Sequence, residues 1–271
     1  MPELPEVETT RRGLEPHVLQ RTVEAVVIRQ PRLRWPVPAD LAARLSGASF
    51  VSVGRRGKYL LFETGFGTLI VHLGMSGSLR VLQREEMPRL HDHIDICFDD
   101  GSVLRFHDPR RFGSLHWTSG PSADHPLLRD LGPEPLGNLF DGRHLYERSR
   151  GRRLAVKSFI MDAKVVVGVG NIYASESLHL AGLSPVRAAG RISLARYDRL
   201  ADCIRQVLGA AIMQGGTTLR DFVNGVGEPG YFAQSLRVYG RAGELCAGCG
   251  QPIRARVIGQ RASYYCAHCQ R

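Results

Sequence analysis

Residues 49–64 read SFVSVGRRGKYLLFET, and residues 67–75 follow as GTLIVHLGM. Both are short runs rich in β-branched and aromatic residues, punctuated by glycine, which is strand composition. The same texture recurs outward along the chain in TVEAVVIR (22–29), SLRVLQ (78–83), HIDICF (93–98), SVLRFHD (102–108) and GSLHWT (113–118). DDGS at 99–102 separates two of these runs and is a hairpin signal. Short strands with polar turns at this spacing imply a β-sandwich or a barrel. Ahead of them a helix is expected from about Pro5 to Leu14, because proline and the acidic Glu6 and Glu8 suit the first turn. Gly13 and Pro16 are expected to stop it.

Beyond about residue 120 the pattern changes. SADHPLLRDLGPEPLGN (122–138) is rich in proline and glycine and suits a linker. Helical patterns follow in DGRHLYERSR (141–150), RRLAVKSFIMDA (152–163), GNIYASESLHLAGL (170–183) and SLARYDRLADCIRQVLGAAIMQG (193–215). The last of these keeps apolar residues at helical spacing for more than five turns. TTLRDFVNGVGEPGYFA (217–233) has the glycine and proline content of a loop. Gly168 and Gly170 superficially resemble a nucleotide-binding loop, but Tyr173 stands where a third glycine is required.

The 271 residues carry a formal charge of +10. An acidic partner follows, with DNA or RNA as the first candidate. Among 36 basic residues only Lys58, Lys157 and Lys164 are lysine. Arginine stays protonated and grips phosphate with a planar fork, whereas lysine can release its proton. A lysine in so arginine-rich a chain therefore marks a place where arginine would not serve, and Lys58 is singled out on this ground. No stretch reaches the roughly 18–20 apolar residues of a membrane helix. The acidic start does not resemble an export signal, so a cytoplasmic protein without a membrane partner is expected.

Cys246, Cys249, Cys266 and Cys269 form two C-x2-C pairs, CAGC and CAHC. In a reducing compartment this spacing denotes a four-thiolate zinc site, one ion per chain, structural because no coordination position is left open. Cys97 and Cys203 lie in apolar patterns and are expected to be core thiols.

The chain opens MPELPEVE. If Met1 is removed, Pro2 becomes a secondary amine at the terminus. Such an amine titrates about two pH units below lysine and is partly neutral and nucleophilic at cellular pH. Attack on an aldehyde-level carbon yields an iminium with no N–H to lose, and two nearby carboxyls, Glu3 and Glu6, supply a proton donor and an electrostatic partner. The plainer reading is that these residues only start a helix.

MPELPEVE (1–8), GRRGKYL (54–60), HLGMSG (72–77), DPRRFG (108–113), GVGNIYASE (168–176), GGTTLRDF (215–222) and QRASYYCAHCQ (260–270) together resemble the formamidopyrimidine-DNA glycosylases, from the first residue to the last and in order. The resemblance implies an α+β fold: a catalytic β-sandwich with flanking helices over 1–120, a linker and helical helix–two-turn–helix domain over 121–236, and a zinc finger over 237–271. It implies a base excision repair enzyme, acting as a monomer, that excises oxidised purines from damaged double-stranded DNA and nicks the strand by β,δ-elimination. Pro2 is then the nucleophile at deoxyribose C1′, Glu3 a proton donor, Glu6 a supporting carboxylate, Lys58 the proton donor for β-elimination, and Arg261 the residue of δ-elimination. Taken alone, Lys58 and Arg261 read equally as phosphate contacts.

A base buried in a duplex must be flipped out before it reacts, and the hole must be filled. The resemblance assigns this to Met75, Arg110 and Phe112, a wedge of flexible apolar, cationic and aromatic side chains. From residues alone Met75 would be core at a strand end. His72, His91, Arg152 and Asn171 match phosphate-side contacts, and Thr217, Arg220 and Tyr231 belong to a loop that closes over the damaged base. Arg220 departs from the family pattern, which has lysine there. Two alternatives stay open: an oxidised-pyrimidine glycosylase of the endonuclease VIII type, against which the ELPEVE start argues, and a non-catalytic zinc-containing DNA-binding protein.

Overall fold

The computed structural model describes residues 2–84, 86–217 and 235–271. Their contacts divide the chain into two compact units, residues 2–129 with 214–217, and residues 130–213 with 235–271.

The first unit contains helix α1 (Leu4–Val18), strand β1 (Val23–Ile28), helix α2 (Leu41–Leu45), and strands β2 (Ser52–Arg56), β3 (Tyr59–Thr64), β4 (Gly67–His72), β5 (Ser78–Gln83), β6 (Asp92–Phe98), β7 (Ser102–His107) and β8 (Ser114–Thr118). The strands form two four-stranded antiparallel sheets in the orders β1-β6-β7-β5 and β2-β3-β4-β8. Alternate residues of both sheets point into one apolar cluster: Leu60, Phe62, Leu69, Val71 and Leu115 from one, Ile94, Ile96, Phe98, Leu104 and Phe106 from the other. Val7, Leu14 and Val18 of α1 and Leu41 and Leu45 of α2 join the same cluster. This is a β-sandwich with flanking helices, as the resemblance implied. Each such side chain contributes roughly 1.5–3 kcal/mol by leaving water.

Three local departures have physical causes. The run 49–64 is two strands, because Gly57 takes φ +57° and turns the chain. Arg56 pairs with Tyr59, so Gly57 and Lys58 make a two-residue hairpin loop. Helix α1 does not stop at Gly13 or Pro16. Pro16 lacks one N–H, but Leu14 and Val18 are fully buried and Leu19 N still donates to Glu15 O at 3.2 Å. Core burial outweighs the single missing bond. Helix α2, only five residues long, shows no readable periodicity and was not expected. The DDGS hairpin is as read, with Gly101 at φ +82° and Asp100 Oδ1 accepting from Ser102 N at 3.0 Å.

The second unit contains helices α3 (Gly142–Ser149), α4 (Val156–Ile160), α5 (Asn171–Leu180) and α6 (Leu194–Met213), then strands β9 (Arg254–Ile258) and β10 (Arg261–Tyr265). Asp141 caps α3 by accepting from His144 N at 2.7 Å. In α6 the buried Tyr197, Leu200, Ala201, Ile204, Val207, Leu208 and Ala211 repeat at three- and four-residue spacing. They pack in a cluster with Phe159, Ile172, Tyr173 and Leu178. Helix α4 is shorter than expected because residues 152–156 bond to 187–190 instead: Val156 N to Arg187 O at 2.8 Å, and Gly190 N to Arg152 O at 2.9 Å. The β9–β10 hairpin turns on Gly259 and Gln260, both at positive φ, which is the two-residue loop that matches strand twist. Among the described residues no helix is long and apolar enough to cross a membrane.

Candidate active site and nucleic-acid interface

The N-terminus of α1 gathers the first candidates. Pro2, Glu3 and Glu6 are all buried, the two carboxylates at 2% exposure. Glu3 is the N-cap residue, and Glu6 Oε2 accepts from Glu3 N at 2.7 Å. The other Glu6 oxygen accepts from Thr217 N at 2.8 Å, 211 residues away in sequence. Glu6 therefore fastens the start of the chain to the segment that follows α6. Gly216 allows that approach: it sits at φ +83°, and a Cβ there would lie 3.1 Å from Glu6 Oε1. Arg220 and Tyr231 lie outside the described residues.

Lys58 sits at the tip of the β2–β3 hairpin. One relay of charge holds that tip against α1. Glu8 accepts from Arg55 Nε at 2.9 Å, and Arg55 donates onward to Gly57 O at 2.9 Å. Glu8 also binds Arg11 and Arg12. Burial pushes the Glu8 carboxyl up, but the Arg11, Arg12 and Arg55 guanidiniums outweigh it and hold it at about 2.

His72, paired with Tyr59 across β3 and β4, is forced neutral. Burial, then the positive charges of Lys58 and Arg34, push its imidazolium down to about 4. Its Nδ1 accepts from Gly74 N at 3.0 Å, so the ring proton is on Nε2. His72 thus offers one neutral N–H donor.

Met75 lies past the end of β4 and is half-buried, outside the sandwich core in which residue type alone would put it. Arg110 and Phe112 are exposed in the loop between β7 and β8, with the guanidinium 4.8 Å from the ring centroid. The two loops meet at Gly74, where a Cβ would fall 2.4 Å from Gly113 N. His91 adopts φ +74° and places its ring 6.1 Å from that of His93 and 6.2 Å from that of His107.

In the second unit Asn171 begins α5 and binds the zinc-finger hairpin: its Nδ2 donates to Ala262 O at 3.0 Å. Lys157 is 1% exposed and donates to Asn171 Oδ1 at 2.6 Å, Ser263 Oγ at 2.6 Å and Ala262 O at 3.1 Å. These bonds hold the two residues that follow Arg261, which is exposed at the first position of β10. Arg152 is half-buried, its guanidinium 5.7 Å from the Phe159 ring.

Cys246, Cys249, Cys266 and Cys269 bring their sulfurs within 4.8 Å of one another, and none forms a disulfide. Four thiolates at about 2.3 Å from one tetrahedral zinc lie about 3.8 Å apart, so the cluster fits a single structural ion. Cys246 and Cys266 are buried with Val238 and Ile253 in a separate small core.

Sequence reading missed Glu8, Arg55, Asp108, Gly216 and the buried role of Lys157. Asp108–Pro109, a turn-forming pair, was the only one with a local signal.

Family models match three stretches of the chain: the formamidopyrimidine-DNA glycosylase N-terminal domain over residues 1–115, the formamidopyrimidine-DNA glycosylase H2TH domain over 131–223, and the zinc finger found in FPG and IleRS over 243–271. The chain is 60% identical over 271 residues to formamidopyrimidine-DNA glycosylases of Syntrophotalea carbinolica and of Methylococcus capsulatus, covering 100% of each chain. Among solved structures, a Lactococcus lactis Fpg variant in complex with Fapy-dG-containing DNA matches with TM-score 0.92 and 32% identity over 100% of both chains. MutM (Fpg) from Thermus thermophilus matches with TM-score 0.89 and 39% identity over 99% of this chain and 98% of that one. The sandwich, the zinc cluster and these full-length matches have one meaning: the chain belongs to the formamidopyrimidine-DNA glycosylase family, base excision repair enzymes with glycosylase and AP lyase activity.

Proposed function

We propose that this chain excises oxidised purines, 8-oxoguanine and formamidopyrimidines, from duplex DNA and then nicks the strand by β,δ-elimination. Removal of Met1 frees the Pro2 nitrogen as a secondary amine. That nitrogen bonds to deoxyribose C1′ as the C1′–base bond breaks, and Glu3 donates the proton that assists base loss and ring opening. The product is an iminium, which draws electrons from C2′. Loss of a C2′ proton then expels the 3′ phosphate, with Lys58 as proton donor, and Arg261 serves the second elimination, which expels the 5′ phosphate.

The observation that carries this reading is the pair of buried carboxylates beside Pro2. Burying two carboxylates at a helix start is costly unless they are bound or used. Glu6 accepts from the Glu3 and Thr217 backbone N–H groups, one on each oxygen, and acts as an anchor. The Glu3 side chain closes the capping box on the Glu6 backbone, next to Pro2 in sequence, and the family resemblance gives it the proton. Met75, Arg110 and Phe112 fill the space of the flipped nucleotide, and His72, His91, Arg152 and Asn171 serve the phosphate side. Thr217, Arg220 and Tyr231 belong to the lesion-covering loop. The enzyme works as a monomer on damaged double-stranded DNA at the nucleoid, in the cytoplasm.

Borohydride reduces an iminium to a stable amine. Processed protein incubated with an 8-oxoguanine duplex and borohydride is expected to give a covalent protein–DNA band on a denaturing gel, and protein retaining Met1 is expected to give none. Absence of the band with Pro2 at the terminus defeats the reading. Faster excision of thymine glycol than of 8-oxoguanine would assign the endonuclease VIII type instead. Tight binding of one undamaged sequence without cleavage would assign a non-catalytic DNA-binding protein.

A further inference from the structure

We propose that Asp108 is a positioning residue that locks the DNA-facing loops of the first unit into one rigid arrangement before DNA arrives. The proposal rests on reading Met75, Arg110 and Phe112 as the side chains that fill the space of a flipped nucleotide.

Asp108 is fully buried, yet its carboxylate binds Ser76, Arg110 and Gly113, none of which lies in a strand. Oδ1 accepts from Ser76 Oγ at 2.7 Å and from Arg110 N at 3.3 Å, and Oδ2 accepts from Gly113 N at 2.7 Å. Ser76 follows Met75, whereas Arg110 and Gly113 bracket Phe112. All three partners lie in the loops after β4 and after β7. The backbone of Asp108 also reaches the candidate His91 and its neighbour His93. Its N–H donates to His91 O at 3.1 Å, and its carbonyl lies 2.8 Å from His93 Nε2.

The loops also have no room to slide. A Cβ at Gly74 would meet Gly113 N at 2.4 Å, and one at Gly113 would meet His72 O at 2.8 Å and Asp108 Oδ2 at 3.1 Å. Met75 and Phe112 therefore move together or not at all. A buried carboxylate bonded to loop donors is an expensive way to stabilise a fold that already has an apolar core. It is an effective way to hold two exposed side chains at a fixed spacing. Inserting a prearranged wedge avoids ordering two loops during the flip, when any misplacement slows the reaction.

The test separates flipping from chemistry. An 8-oxoguanine duplex requires the wedge, whereas an abasic site in a single strand requires neither flipping nor filling. Asp108→Asn turns one acceptor into an N–H group facing other donors. It is expected to slow excision from the duplex about ten- to a hundredfold while single-strand nicking stays within about threefold. Ser76→Ala removes the bond to Asp108 and the longer one from Arg110 N, at a partly exposed position, and leaves folding intact. It is expected to show the same split at about three- to tenfold. Parallel loss on both substrates, or unchanged duplex excision in Ser76→Ala, overturns the proposal. Inactivity of the wild-type chain on both substrates would instead defeat the proposed function itself.

Discussion

Glu8 shows how one carboxylate serves several elements at once. It joins Arg11 and Arg12 within α1 to Arg55 on β2, and through Arg55 it steadies the Gly57–Lys58 turn. Its carboxyl is held at about 2, below the ordinary 4.5. A group whose folded value is depressed gives stability that is present above its unfolded value and lost as pH falls through the folded one. The window for Glu8 therefore runs from about 4.5 down to about 2. Glu8→Gln is expected to lower unfolding free energy at pH 7 by on the order of 2 kcal/mol after solvent screening, with the difference shrinking across that window. Urea denaturation of both proteins at a series of pH values measures this, and a difference independent of pH would refute it. His72 has the same sign in a higher window. With its imidazolium pushed from 6.5 to about 4, it charges only as acid destabilises the fold.

At the scale of elements, the local signals were strong wherever a side-chain pattern repeated. Seven strand runs and helix α6 were legible because period-two alternation and three-four spacing are properties of neighbouring residues. The end of α1 was not legible. Pro16 is a stop signal in isolation, and only the burial of Leu14 and Val18 overrides it. The β9–β10 hairpin is a different case. Two five-residue strands over a four-residue core are marginal alone. Zinc supplies the missing stability. Stripping the metal with a chelator is therefore expected to accelerate amide exchange over residues 254–265 while β3, β4 and β7 stay protected. Hydrogen exchange followed by mass spectrometry, with metal content checked in parallel, is the measurement. Unchanged protection of the hairpin in metal-free protein would show that zinc does not hold it.

For the whole molecule, the net charge of +10 sets how it meets DNA. Displacing counterions from roughly four to six phosphates predicts a slope of about −4 to −5 in log affinity against log salt concentration. Fluorescence anisotropy with a duplex carrying an uncleavable abasic analogue, titrated from low to high salt, tests this. A slope near zero would remove the electrostatic account. Replacing the exposed Arg261 is expected to lessen the slope by about one if it meets a phosphate.

The linear chain by itself determined the strand-rich first half, as a sandwich or a barrel, the helical second half and the four-cysteine zinc site. Each of these depends on residue type and short spacing, which are local. Tertiary structure alone decided which of many arginines meets Glu8, that Glu6 binds Thr217 from the far end of the chain, and that Asp108 draws the loops after β4 and β7 together. A carboxylate has no sequence mark naming its partner. Hydrogen bonds of 2.7–2.9 Å are selected only when the backbone has brought donor and acceptor to one point, and that convergence follows from how the sheets and helices pack.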